Sequence, residues 1–230
     1  RNFFSEASVV IPDASATMQT VENADIMGKK VADQLVETIC RAGIRHIYAV
    51  TGDSLNEVND AVRRAGTVRW VHVHHEESGA FAAAAESELN GIACCAGSSG
   101  PGHVHLINGL YDAHRSNCPV LAIASTCPSD QFGTGYFQET DPIRLFDDCS
   151  GYNQMAVTPA QFARMLPAAL QHAIHRREVA VVGLPGDVAA SPCAESPGAS
   201  GPLPSHGIYR PLDGELRQLA EMIGSAERIT

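Results

Sequence analysis

Turn-forming residues follow directly on short apolar runs in this chain, and stretches of helical periodicity follow the turns. That alternation restricts the fold more than any other feature. Ile44 to Val50 reads as a strand, and Thr51-Gly52-Asp53 then turns into a helix opened by Ser54-Leu55-Asn56-Glu57, a capping-box pattern. Gly66 stops that helix, and the β-branched run Val68 to His74 reads as a second strand. An alanine-rich helix from Glu76 to Leu89 halts at Asn90-Gly91, and the apolar strand Ile92 to Ala96 runs into Gly97-Ser98-Ser99-Gly100-Pro101-Gly102. A helix over His103 to His114 leads to the strand Val120–Ser125 and a long polar loop to Thr140. Thr158-Pro159-Ala160-Gln161 is another capping box, with proline at the first helical position. Its helix reaches about Arg177 and precedes a buried strand, Val179–Leu184. Upstream, Val31, Leu35 and Ile39 recur every four residues, which predicts a helix from Met27 that stops at Gly43. Strands alternating with helices at these lengths predict an α/β fold, a parallel sheet with helices on both faces.

The pattern is confined to part of the chain. Residues 1–26 show no sustained periodicity and read as an N-terminal extension, and 27–188 form the α/β domain. Between 189 and 212 lie five of the 13 prolines (Pro192, Pro197, Pro202, Pro204 and Pro211), the composition of a linker. Helical periodicity resumes at Asp213, so 213–230 read as the opening of a further, truncated domain. With 44% hydrophobic and 18% charged residues the chain has the balance of a globular protein, and its net charge of -10 with no basic stripe argues against nucleic acid as a partner. Seven cysteines without a C-x-x-C read as mostly buried thiols in a reducing cytosol. No apolar run approaches membrane-spanning length, and the first 26 residues lack a signal-peptide pattern.

Open α/β sheets bind ligands at the carboxyl ends of their strands. Four segments fall there: Thr51–Ser54, His74-His75-Glu76-Glu77, Gly97–Gly102, and Gly133-Thr134-Gly135-Tyr136-Phe137-Gln138-Glu139 in the long loop. The glycine-rich turn is neither G-x-G-x-x-G nor a Walker loop, and by itself it reads equally well as a tight strand-to-helix turn. Acidic residues favour the first turn of a helix, so one of Glu76 and Glu77 has a purely helical role. A carboxylate at a strand end, walled by valine and alanine, can also exchange a proton with a bound heterocycle. Histidines offer a rival: His72 and His74 share one strand face, with His103 and His105 one loop away, a spacing that can ligate zinc although no H-E-x-x-H supports it.

Taken in order, Val50-Thr51-Gly52-Asp53-Ser54-Leu55-Asn56, His75-Glu76-Glu77, Gly100-Pro101-Gly102 with His105, Asn108-Gly109-Leu110-Tyr111-Asp112 and Gly135-Tyr136-Phe137-Gln138-Glu139 resemble the flavodoxin-like pyrimidine-binding domain of thiamine-diphosphate enzymes. The resemblance covers about residues 27–190 and is greatest to bacterial pyruvate oxidase and quinone-dependent pyruvate dehydrogenase. Acetolactate synthases share His-Glu and Ser-Gly-Pro-Gly but differ around His105 and Asn108. The resemblance implies that Glu76 hydrogen-bonds N1′ of the aminopyrimidine and thereby promotes removal of the thiazolium C2 proton. It further implies that Gly52, Asp53, Ser54, Pro101, Gly102, His105 and Asn108 line the cofactor, and that Phe137 and Gln138 face the reacting carbon. His74 departs from the family, where arginine often precedes the His-Glu pair.

The implied reaction is oxidative decarboxylation of pyruvate or a similar 2-keto acid to acetate or an acetyl group. Thiamine diphosphate would be the cofactor, with FAD and Mg²⁺ bound mainly by domains absent from this chain. The implied assembly is a homodimer or homotetramer in the cytoplasm, with room for peripheral contact of an absent C-terminal region with the inner face of the cell membrane. An acetolactate-synthase-like carboligase of the same superfamily is the alternative within the resemblance. A non-catalytic interaction module with this fold is the alternative outside it, disfavoured by the joint presence of Glu76, Pro101, Phe137 and Gln138.

Overall fold

A computed structural model describes residues 28–194, 210–226 and 228. The expected extension over 1–26 lies outside the described residues, as does residues 195–209 of the expected linker. Six strands form one sheet: β1 (His46–Ala49), β2 (Arg69–His72), β3 (Ala93–Gly97), β4 (Val120–Thr126), β5 (Tyr152–Met155) and β6 (Val179–Pro185). Their order is β2-β1-β3-β4-β6-β5 and every pairing is parallel. The expected α/β class is therefore the one observed. The central strands β3, β4 and β6 are buried throughout, as their unbroken apolar runs require.

Nine helices longer than a single 3₁₀ turn lie among the described residues: α1 (Val31–Arg41), α2 (Asn56–Ala65), α3 (Glu76–Asn90), α4 (Pro101–Val104), α5 (Ile107–Arg115), α6 (Pro142–Leu145), α7 (Pro159–Arg176), α8 (Gly186–Ala190) and α9 (Asp213–Ser225). One face of the sheet packs on α1, α2 and α7 through Leu35, Ile39, Val58, Val62, Phe162 and Leu166. On the other face α3 and α5 bring Ala80, Ala83, Ala84 and Leu110 against Ala93, Cys95, Ala122 and Ala124. Helix α9 has no buried residue. None of these helices is long and apolar enough to cross a membrane.

Several local expectations change. Ser54 does not cap α2: residues Asp53–Leu55 form a 3₁₀ turn, the helix starts at Asn56, and its N-cap Leu55 makes no side-chain cap bond. The helix expected over His103–His114 is two pieces, because the chain bends at His105-Leu106 between α4 and α5. At α7 the Thr158 hydroxyl accepts the Gln161 N–H as expected, but Gln161 returns its side chain to the Val157 N–H, one residue before the cap. Strand β5 carries no apolar run to announce it. Its Tyr-Asn-Gln-Met sequence suits an edge strand paired only with β6 and partly exposed. Five of the seven free cysteines are buried, matching the reading of mostly buried thiols, and burial pushes Cys95 up to about 12.

Two glycines set distances that matter beyond the fold. A β-carbon on Gly97 would stand 2.5 Å from His103 Cα, so only glycine lets the chain double back after β3. On α5, a β-carbon at Gly109 would lie 2.6 Å from Ala80 Cβ and 2.9 Å from Glu77 O, so α5 rides directly on the first turns of α3. Gly109→Ala should therefore destabilise the protein by up to about 2 kcal/mol net. Overpacking against helix backbone costs roughly 1–3 kcal/mol, more than the roughly 1 kcal/mol that alanine gains over glycine in helix propensity. Urea unfolding with an unchanged m-value is the measurement, and a rise in midpoint would show that α5 can shift freely.

Candidate functional site

Strands β1 and β3 are neighbours, yet the chain leaving β1 turns toward β2 while the chain leaving β3 turns toward β4. The crevice that opens at such a reversal is where open α/β sheets bind ligands. Ser54 stands in it. Its hydroxyl lies 2.9 Å from Ser98 Oγ and accepts the Ser99 N–H at 2.9 Å. Ser125, near the end of β4, directs its hydroxyl at the carbonyls of Ser54 (2.8 Å) and Leu184 (3.0 Å). The ends of β1, β3, β4 and β6 are thus tied into one polar floor. Gly52 lies so close to the Ser98 side chain that any β-carbon there would collide with it.

Glu76 opens α3, and its side chain is only 10% exposed. The His75 ring before it accepts the Glu77 N–H at Nδ1, 3.3 Å, and so caps the helix. The two oxygens of Glu76 meet different neighbours. Oε2 is 3.1 Å from His105 Nδ1, and a carboxylate oxygen makes that ring nitrogen the donor. Oε1 faces the Gly102 backbone, at 3.3 Å from where a β-carbon would stand. The His105 side chain is 44% exposed and its ring stacks on His75, with centroids 4.4 Å apart. Glu77 turns elsewhere, accepting from Asn108 Nδ2 at 2.6 Å.

The long loop closes on the same crevice. Gln138, with φ of +61°, receives the Ser99 hydroxyl at its Oε1, 3.3 Å away, and a β-carbon on Gly100 would stand 2.7 Å from Gln138 Cβ. Phe137 beside it is 78% exposed. Glu139 folds back onto its own loop, accepting the N–H groups of Gly133 (2.5 Å), Gly135 (2.8 Å) and Tyr136 (3.1 Å). Those bonds, Gly133's foremost, hold its carboxyl below the usual glutamate range. At the loop's foot the buried His103 ring spans from Ser125 O (2.7 Å at Nδ1) to Thr140 Oγ1 (2.5 Å at Nε2).

Of the residues singled out from sequence, the structure brings Glu76, Gly102 and His105 into one contact group, and Gly52, Ser54 and Gln138 into a second through Ser98 and Ser99. Pro101 is the first residue of α4 between them. Asn108 reaches Glu77 rather than Glu76, and Asp53 lies exposed outside both groups. Sequence reasoning gave no role to His75, Ser98, Ser99 or Glu139, and it offered His103 only as a rival zinc ligand. Only Glu139 carried a readable signal, an acid shortly after two glycines whose amides can cradle an anion. The zinc reading needs correction. His103 is buried and bonded at both ring nitrogens, and the one potential ligand group among the described residues is His75, Glu76 and His105, with ligand atoms within 4.8 Å of one another.

Because Ser125 O can only accept, His103 donates from Nδ1, and its neutral form takes the Thr140 hydroxyl at Nε2. Burial lowers its pKa below the ordinary 6.5. The unfolded chain therefore binds this proton first, and stability should fall as pH drops from 6.5 toward the folded-state value. Urea unfolding at pH 7 and pH 5 checks this. His103→Gln should lose less stability over that interval than the wild type, and an equal loss in both would remove His103 as the source.

The family model for thiamine pyrophosphate enzyme, N-terminal TPP binding domain, matches residues 29–145. The chain is 47% identical over 203 residues to an uncharacterized 42.6 kDa protein in the isoamylase 3′ region of Pseudomonas amyloderamosa, covering 87% of this chain and 51% of that protein. It is 38% identical over 148 residues to the pyruvate oxidase of Lactiplantibacillus plantarum, covering 64% of this chain and 24% of the oxidase. To acetolactate synthase 3 of Brassica napus it is 29% identical over 197 residues, 85% of this chain and 30% of the synthase. The chain thus spans about half of the first of these relatives and less than a third of the other two. With the match covering residues 29–145, every strand from β1 to β4 and each loop that forms the crevice, the chain belongs to the thiamine pyrophosphate enzymes and carries their N-terminal TPP-binding domain.

Proposed function

We propose that this chain supplies the cofactor-activating half of a thiamine-diphosphate enzyme that oxidatively decarboxylates pyruvate or a similar 2-keto acid. The observation that carries the proposal is the state of Glu76: a nearly buried carboxylate at a strand end, one oxygen held by His105 and the other turned to a glycine backbone. That is the setting in which a carboxylate can hold a proton at a flat heteroaromatic nitrogen laid against Gly102. When bound, thiamine diphosphate supplies the nucleophilic carbon and the electron sink for decarboxylation. Glu76 would hold the N1′ proton from Oε1, while His105 fixes the carboxylate by its other oxygen. Gly52, Ser54, Pro101 and Gly102 would present a close backbone wall, and Asp53 and Asn108 would border it. Phe137 and Gln138 would meet the keto acid.

The oxidase branch is preferred because the pyruvate oxidase relative is 38% identical, against 29% for the acetolactate synthase. The synthase alignment covers more of this chain and favours a second reading, in which a second keto acid rather than FAD takes up the two-carbon unit. In the first reading FAD accepts the electron pair, Mg²⁺ anchors the diphosphate, and both are held mainly outside residues 27–188. Self-association as a homodimer or homotetramer in the cytoplasm belongs to the same proposal.

The test uses the full-length protein with thiamine diphosphate, Mg²⁺, FAD and pyruvate, following reduction of an artificial electron acceptor. Glu76→Gln should lower turnover by about 10²-fold or more, the scale of a lost positioned proton-transfer group, with flavin content unchanged. Glu77→Gln should cost far less. Near-wild-type turnover in the Glu76 variant would refute the assignment, and acetolactate without acceptor reduction would select the second reading.

A further inference from the structure

The 133–139 loop has an unusual source of order. It is exposed, and Phe137 and Gln138 project from it next to the crevice. Yet Glu139 turns back and takes three of the loop's own N–H groups, from Gly133, Gly135 and Tyr136, on its two oxygens. Its own N–H donates to Tyr136 O at 2.9 Å, which closes the turn around Phe137 and Gln138. The backbone is bent to suit: Gly133 and Gly135 have φ of +80° and +73°, and Gln138 has +61°, a strained conformation that a side-chain-bearing residue keeps only where its surroundings impose it. Beyond these bonds, Thr134 donates its hydroxyl to Gln131 O, the Ser99 hydroxyl bonds Gln138, and Thr140 bonds His103 at the foot.

We propose that Glu139 is a positioning residue for keto-acid turnover: its carboxylate shapes the turn that presents Phe137 and Gln138, and it takes no part in cofactor activation. This rests on the reading of Phe137 and Gln138 as the substrate-facing pair. A carboxylate serves here because it offers two acceptor oxygens and a full charge to three amides at once. Glutamine of the same size keeps one oxygen and sets an NH₂ group against N–H donors. The consequence is a division of labour. Glu76 and His105 work from a helix and a helix junction, while Phe137 and Gln138 depend on a loop whose turn is shaped chiefly by the Glu139 side chain.

Two measurements test the assignment. On the 230-residue chain, Glu139→Gln should shift the amide ¹⁵N–¹H resonances of Gly133, Gly135 and Tyr136 while those of α3 and α5 stay in place. In the full-length protein, the same variant should lower kcat/KM for pyruvate on the order of 10²-fold, as displacement of a positioning group does. Thiamine diphosphate affinity and the rate of deuterium exchange at the cofactor's C2 should remain at wild-type levels. Glu76→Gln is the control, and it should slow both C2 exchange and turnover. Unchanged amide resonances, or wild-type kcat/KM despite shifted ones, would overturn the proposal. So would a loss of C2 exchange in Glu139→Gln as large as in Glu76→Gln, which would place Glu139 in cofactor activation. If instead Glu76→Gln turns over pyruvate normally while Glu139→Gln does not, the Glu76 assignment fails and the loop's role stands.

Discussion

The Glu76–His105 hydrogen bond joins the start of α3 to the bend between α4 and α5, and the arrangement around the crevice depends on it. A carboxylate withdrawn from water loses strong hydration, and the loss is tolerable only where donors replace it. Here a ring N–H serves Oε2, and the first turn of α3 adds the positive end of a helix dipole. Both depend on how closely α5 approaches α3. Were Gly109 and Ala80 any larger, His105 would be carried away from Glu76. A bond of 3.1 Å at the sheet edge is thus controlled by the absence of a β-carbon one turn along the next helix.

Small residues extend this control across the face. Ala93, Cys95, Ala122 and Ala124 on the sheet meet Ala80, Ala83 and Ala84 on α3, and a β-carbon at Gly79 of α3 would stand 3.2 Å from Tyr48 O, whereas the opposite face carries more leucine and isoleucine. The small-residue side is the one that carries Glu76. Lining it with alanine lets a helix lie near the strands that end in the crevice, so helix ends and strand ends meet at hydrogen-bonding distance. Bulky packing on the far face supplies most of the apolar burial, at about 25 cal/mol per Å², and the near face can be optimised for proximity.

How much of this was readable in advance follows the physics of each signal. Parallel strands buried on both faces must be continuous apolar runs, so β3, β4 and β6 stood out, and the helices before and after β2 showed their stops at Gly66 and Gly91. Edge strand β5 left no such trace. Glu76 could be preferred to Glu77 from its place after His75, and the structure separates the two by partner: His105 for one, Asn108 for the other. What stayed hidden is tertiary. Ser54 matched a helix cap by local spacing, but its hydroxyl is captured by residues 44 and 45 positions away. Long-range capture of that kind leaves no periodicity. The same holds for His103, whose two partners lie on β4 and in the long loop.

Ser54 also explains why the crevice needs the serines it has. A cap at the start of α2 would have satisfied one backbone donor of that helix. By bonding Ser98 and Ser99 instead, Ser54 ties the turn after β1 to the turn after β3, the two segments that diverge at the strand-order reversal. Left untied, two turns that part in opposite directions would give a floor free to widen. Ser99 then passes the constraint on, since its N–H is held by Ser54 and its hydroxyl holds Gln138. One short chain of hydrogen bonds, Ser54 to Ser99 to Gln138, therefore sets the distance between the rigid floor and the self-anchored loop. The local stability given up at α2 reappears as geometry at the place where, in the proposed reaction, cofactor and keto acid must meet.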